Sequence, residues 1–252
     1  MKSKYFTVEV KPVIPNVAAG QHAAFADGDV LFNWHAFDIP KGPAKLLGVS
    51  CDIRPKGNAD ADPNKFPLEL FFAKSRNNGT DPTALGTVNS TVTVPAFSPN
   101  QIISFVKVVA GDFADHLDST TFSHTVPLAG TIFSGELKPE QGTHVGFDRY
   151  YVAGMAGGAL DFTSGILINA GDLNGPVLTV DGVDPRLSLS VGDTIAVTTT
   201  ADTSVAKSMG VIKSMADANT ITLESAFTTG DVVNNDIVYN VAPITVRLHF
   251  EK

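Results

Sequence analysis

The feature that most constrains this chain is alternation with a period of two. Phe6, Val8 and Val10 alternate with Thr7, Glu9 and Lys11, and near the other end Ile244, Val246, Leu248 and Phe250 alternate with Thr245, Arg247, His249 and Glu251. Successive side chains of a strand point to opposite faces, so each pattern buries one face and wets the other. Residues 30–34, 46–51, 68–72, 102–109 and 164–168 read as further strands or apolar core runs. Turn residues punctuate them at Asp27-Gly28, 40–43, Asn78-Gly79 and 139–142. Helical periodicity is nearly absent. Its best stretch, 152–159, holds three glycines, each costing a helix about 1 kcal/mol relative to alanine, and reads instead as a close-packed turn or strand corner. The expected fold is all-β: an antiparallel, jelly-roll-like β-sandwich.

A second unit is expected inside the first. From Gly175 the texture changes to short runs around Val177, Thr194, Gly210, Asn219 and Asp236, with few aromatics. Five short strands suit a small five-stranded barrel. The strong amphipathic strand at 244–250 then needs a partner in the first sheet. The expected domains are therefore a sandwich of residues 1–172 plus 242–252, and an inserted barrel of 173–241. In this reading 166–169 and 244–250 are neighbours in the sandwich, and the barrel projects from a loop tip.

Composition excludes several function classes. The net charge is −8, and an acidic surface repels phosphate, so neither nucleic acid nor membrane is an expected partner. Residues 173–241 hold eight acidic residues against three basic ones, which places most of the surplus on the barrel. The N-terminus has a basic start but no continuous apolar core, so no signal peptide is expected. The single cysteine, Cys51, rules out an internal disulfide. It lies in an apolar run and reads as a small buried hydrophobe rather than a nucleophile.

Catalytic patterns are missing. None of the six histidines forms an HExxH motif or an i, i+4 pair, and G-x-S-x-G, Walker and dinucleotide fingerprints are absent. His116 and His124, with Asp112, Asp115 and Asp118, could be imagined as metal ligands, but their spacing fits a polar loop after strand 102–109. Asp60 and Asp62 in the loop 58–64 resemble calcium-loop spacing, yet the sixth-position glycine and distal glutamate are lacking and Pro63 stiffens the turn. His35 and Phe37 beside Trp34 could form a ligand platform. The favoured reading is a central strand buried on both faces. No catalytic, cofactor-binding or metal residue is assigned, no cofactor is expected, and the chain is not expected to be an enzyme. A convergent carboxylate pair, as in carbohydrate-active enzymes, is invisible to sequence.

In style the chain resembles accessory virion proteins of tailed bacteriophages, of the capsid decoration or cement kind. The resemblance rests on the N-terminus read as uncleaved, one cysteine, and short Thr/Val/Ala/Gly-rich strands. It extends to the barrel from Gly192-Asp193-Thr194-Ile195 through Asn219-Thr220-Ile221-Thr222-Leu223 to Asp236-Ile237-Val238-Tyr239, to Tyr150-Tyr151-Val152-Ala153-Gly154, and to the closing run 244–252. It implies a non-enzymatic protein on a capsid lattice, a homo-oligomer with the major capsid protein or other virion proteins as partners, located in a virion assembled in the host cytoplasm. The alternative reading is a receptor- or glycan-binding module of a tail or cell surface.

Overall fold

The computed structural model describes residues 4–17, 20–53, 67–74, 80–92, 97, 99–109, 111, 113–115, 122–133, 146–162, 165–169, 175–199, 206–227 and 232–252, with backbone alone for 114–115 and 122–132. Two antiparallel sheets form a sandwich. One has the strand order β1 (Tyr5–Val10), β15 (Ile244–Glu251), β3 (Ala44–Ile53), β7 (Phe122–Phe133), β6 (Ala114–Asp115). The other has the order β2 (Val30–Pro40), β8 (Phe147–Ala156), β4 (Leu68–Lys74), β5 (Gln101–Val108). A closed barrel runs β10 (Gly175–Gly182), β13 (Thr220–Phe227), β12 (Ala206–Asp217), β11 (Thr194–Thr198), β14 (Ile237–Asn240), β9 (Ile166–Ile168).

The period-two patterns place the core. Along β15, Ile244, Val246, Leu248 and Phe250 are buried while the residues between them are partly exposed. They pack in a sandwich core centred on aromatics. Phe133 lies 4.9 Å from Tyr150, 5.3 Å from Phe250, 5.7 Å from Phe72 and 6.2 Å from Phe37, centroid to centroid. The barrel has its own aliphatic core, including Ile168, Leu178, Val180, Ile195, Val197, Ile212, Ile221, Leu223 and Val238. Inward-facing side chains fill it, as in other small barrels.

Tyr150 is fully buried in the sandwich core, and its hydroxyl has no hydrogen-bond partner. A buried donor without a partner carries its full desolvation penalty. Tyr150→Phe is therefore expected to raise stability by about 1 kcal/mol. An unchanged or lower urea midpoint would show that the hydroxyl is satisfied after all.

Several expectations are corrected. Of the stretch 152–159 expected as a turn or strand corner, residues 152–156 continue the strand β8 beside β2 and β4, and the bend comes only after it, at 157–158. Gly154 faces Phe32 across β2–β8, and the Phe32 ring occupies the space where a Cβ would stand. The strand carrying Trp34 is not central: β2 is an edge strand, and register shifts between Val30 and His35 break its alternation. Phe32 and Phe37 consequently enter the sandwich core, while Val30 and Trp34 join a cluster on the sheet's outer face with Leu85 and Ala153. His124 lies on β7, paired with Cys51 of β3, and not in a loop.

The inserted unit is also larger than the sequence suggests. Residues 166–168 pair with β10 and β14, not with β15, so the barrel has six strands and a 173–241 segment would lack one of them. The reason is chemical. Ile166 and Ile168 both point into the barrel core, and an isolated apolar run carries no mark of which sheet it joins.

The barrel does not hang from its linkers alone. Residues 14–17 and 20–22, after β1, lie along its outer wall. Ile14 N–H donates to the Val241 carbonyl at 3.0 Å. Asn16 Nδ2 donates to Thr198 Oγ1 at 2.9 Å, and the Thr198 hydroxyl donates to the Asn16 carbonyl. Gln21 Nε2 reaches both the Ile14 and Asn240 carbonyls at 2.8 Å, and His22 Nδ1 is 3.0 Å from the Tyr239 hydroxyl. Ile195 and Val197 face the barrel core, so alternation turns Ala196 and Thr198 outward. Both are nevertheless buried, as is Tyr239. The arm therefore locks the barrel against the sandwich.

Candidate functional site

The polar outer face of β1, β15 and β3 brings the most chemistry-bearing side chains together. His249 Nε2 is 2.8 Å from Ser50 Oγ and its Nδ1 is 3.1 Å from Thr7 Oγ1. One position along, Arg247 pairs with Glu9 at 3.1 Å and with Asp52. The Asp52 hydrogen bond is the main cause that raises the Arg247 pKa, with Glu9 adding to it. Tyr5 donates to Glu251 at 3.3 Å.

A serine beside a histidine invites a nucleophile–base reading, which needs a third group to orient the base. Here that position is held by a threonine hydroxyl, not a carboxylate. β15 offers no oxyanion donor beside His249 either, because it runs between β1 and β3 and its backbone is paired on both sides. The arrangement is a row of cross-strand contacts that stiffens a sheet face.

The other candidates also prove structural. His35 Nε2 accepts from the Val13 N–H at 3.0 Å and its Nδ1 lies 2.9 Å from the Asn33 carbonyl. Trp34 donates to the Thr83 carbonyl at 2.8 Å, and its ring packs in the Leu85 cluster. Neither side chain is part of an open platform. Tyr151 donates to Asp81 at 2.6 Å. Burial first, and then this bond, push its pKa upward, so it acts as a neutral donor. His116, Asp112, Asp118, Asp60 and Asp62 lie outside the described residues. So do the side chains of His124 and Asp115. Among the described residues no group of three or more His, Cys, Asp or Glu is placed to hold a metal.

Cys51 is buried, and burial, with the Asp52 charge second, pushes its thiol from 9.0 up to about 12. Tyr150 moves from 10.0 to about 12, again chiefly by burial. Both folded pKa values lie above the unfolded ones. The stability they contribute is complete below about pH 9 and is lost as pH rises towards about 12. Iodoacetamide is expected to leave Cys51 untouched in the native protein at pH 8 and to label it fully after denaturation. Rapid native labelling would contradict this.

Three of the barrel's described acidic residues, Asp184, Asp193 and Asp236, sit in turns between its strands. Among the described residues, three four-residue turns are closed in the same way by a terminal aspartate. Its N–H donates back to the first residue's carbonyl, and its Oδ2 accepts that residue's N–H. They are Ala26–Asp29, Ser190–Asp193 and Val233–Asp236, with N···Oδ2 distances of 2.7, 2.9 and 2.8 Å. The third residue of each turn is left-handed: Gly28, Gly192 and Asn235. Asp184 is held by Arg186, which lowers its pKa, and Asp217 accepts the Asn219 N–H in the β12–β13 hairpin. Sequence reading counted these carboxylates as surface charge. The pattern of a left-handed residue followed by Asp was the signal that could have identified the three turns.

No helix among the described residues is long and apolar enough to cross a membrane. No family model matches the chain, and comparison with curated proteins gives no match.

Proposed function

We propose that this chain is a non-enzymatic virion structural protein, a capsid decoration or cement protein that binds the capsid lattice. The observation that carries the proposal is the arm at 14–17 and 20–22, which fixes the barrel to the sandwich through buried hydrogen bonds from Asn16 and Gln21. A lattice-binding protein works by outline and area, and a partner of ordinary size covers roughly 800 Å² on each side. Two filled β units held in one orientation supply such an outline. The described polar groups that resemble chemistry, Ser50 with His249 and Asp81 with Tyr151, are bonded to one another within the fold. A glycan-binding reading finds less support, because the single tryptophan is committed to Thr83 and the Leu85 cluster.

Quantitative mass spectrometry of purified virions, together with cosedimentation on undecorated capsid shells, tests the proposal. The expected result is a copy number in simple ratio to the capsid protein, and saturable shell binding. Absence from virions, or retention on a glycan array without shell binding, would overturn it.

A further inference from the structure

We propose that two copies of this chain pair edge to edge through β1, antiparallel and centred on Thr7. Among the described strands, β1 is the outermost of its sheet and pairs only with β15. Lys4 and Lys252 exchange both backbone hydrogen bonds. In an antiparallel ladder such pairs alternate, so Phe6, Val8 and Val10 bond to β15, and the N–H and C=O groups of Tyr5, Thr7 and Glu9 point out of the sheet. None of these outward groups has a partner among the described residues. Phe6 and Val8 pack against the sandwich core but stay only partly buried, so the core is incomplete at this edge.

The edge is complementary to itself. With Thr7 opposite Thr7 of the second copy, Tyr5 falls opposite Glu9 and Glu9 opposite Tyr5. This is the register in which all three outward residues of each copy pair within the strand, each pair exchanging both N–H···O bonds. It sets a phenol beside a carboxylate at both ends and avoids the like-charge contact that centring on Glu9 would create. On the inner face Phe6 meets Val8, which extends the apolar layer of one sandwich into the next. The other sheet does not continue in the same way, because Val13 crosses β2 and bonds to His35. A single strand edge covers less than the roughly 800 Å² per partner of a stable complex, so the pair is expected to assemble at high concentration. The inference is independent of what the protein attaches to.

The test uses the full-length chain. Sedimentation velocity up to several hundred micromolar is expected to show a concentration-dependent dimer. Thr7→Pro removes an outward N–H that β15 does not use, a place where an edge strand tolerates proline. It is expected to abolish the dimer, whereas Thr7→Val, which equally loses the Thr7 hydroxyl contact to His249 but keeps the N–H, is expected to keep it at a similar melting temperature. Thr7→Cys is expected to form an intermolecular disulfide under mild oxidant, because hydrogen-bonded cross-strand pairs lie about 5.5 Å apart at Cα, within disulfide reach. Tyr5→Cys is expected not to, since its own copy lies four residues away in this register. Cys51 is buried and does not compete. A monomer at every concentration, a dimer that survives Thr7→Pro, or equal crosslinking at positions 5 and 7 would each overturn the proposal.

Discussion

Gly154→Val is expected to cost the sandwich several kilocalories per mole. Gly154 sits on β8 directly opposite Phe32 of β2. A Cβ there would stand 2.4 Å from Phe32 Cε1 and 2.6 Å from Cζ. Phe32 is fully buried, with the His35 ring edge-on at 5.7 Å, so its ring cannot swing aside into water. Inserting one methyl into a filled core costs about 1–3 kcal/mol, and valine brings two more carbons. Against a typical domain stability of about 5–15 kcal/mol, that is a large fraction. Urea denaturation measures it. Combining Gly154→Ala with Phe32→Leu supplies the control. If the clash with the ring is the cause, the double variant loses clearly less than the sum of the single ones. Strict additivity would mean that backbone conformation, not Phe32, is what demands glycine.

The second large effect is expected at Gln21. Its buried amide bridges the Ile14 and Asn240 carbonyls, one on the arm and one on β14. Gln21→Ala leaves two buried acceptors without this donor, and each such loss costs about 1–3 kcal/mol. The expected total is about 2–6 kcal/mol, concentrated at the joint. Hydrogen exchange separates this from a general loss of stability. Amides of β11 and β14 should exchange faster, while those of β3 and β15 in the middle of the five-stranded sheet keep their protection. Equal acceleration across both units would show that the arm does not hold the barrel locally.

The strands at the two ends of the chain were legible in sequence because each has one wet and one dry face. β1 and β15 follow the period of two through every residue. β9 was misplaced because Ile166-Leu167-Ile168 is short and apolar, and its partners lie on β10 and β14, the latter nearly seventy residues further along. The change of texture at Gly175 marked the start of β10, not the edge of a unit. The end of β8 reads as a turn or strand corner because Gly154, with Gly157 and Gly158 just beyond the strand, lowers helix and strand propensity alike. The purpose of Gly154 appears only when Phe32 is set opposite it. The arm gave no periodic signal at all, since it is neither strand nor helix and is defined by what it covers. Asn16 and Gln21 look like ordinary polar loop residues until the barrel wall buries them. As for the candidate site, the sequence favours ordinary polar loops around Asp60 and His116 and assigns no site residue, and both loops lie outside the described residues. The described polar constellation lies on a strand face, where Thr7, Ser50 and His249 come from three distant stretches.

The barrel's first and last strands, β9 and β14, are hydrogen-bonded neighbours. A unit that starts and finishes at one doorway can be gained, lost or exchanged in a single genetic event, with the host sandwich barely noticing. The arm makes this cassette less free than it looks. A lineage that discarded the barrel would keep, far upstream, a stretch whose Asn16 and Gln21 had nothing left to hold. The two segments are therefore expected to share one history of descent: relatives that keep the barrel keep the arm's polar grip, and relatives without it carry a different sequence at 11–22.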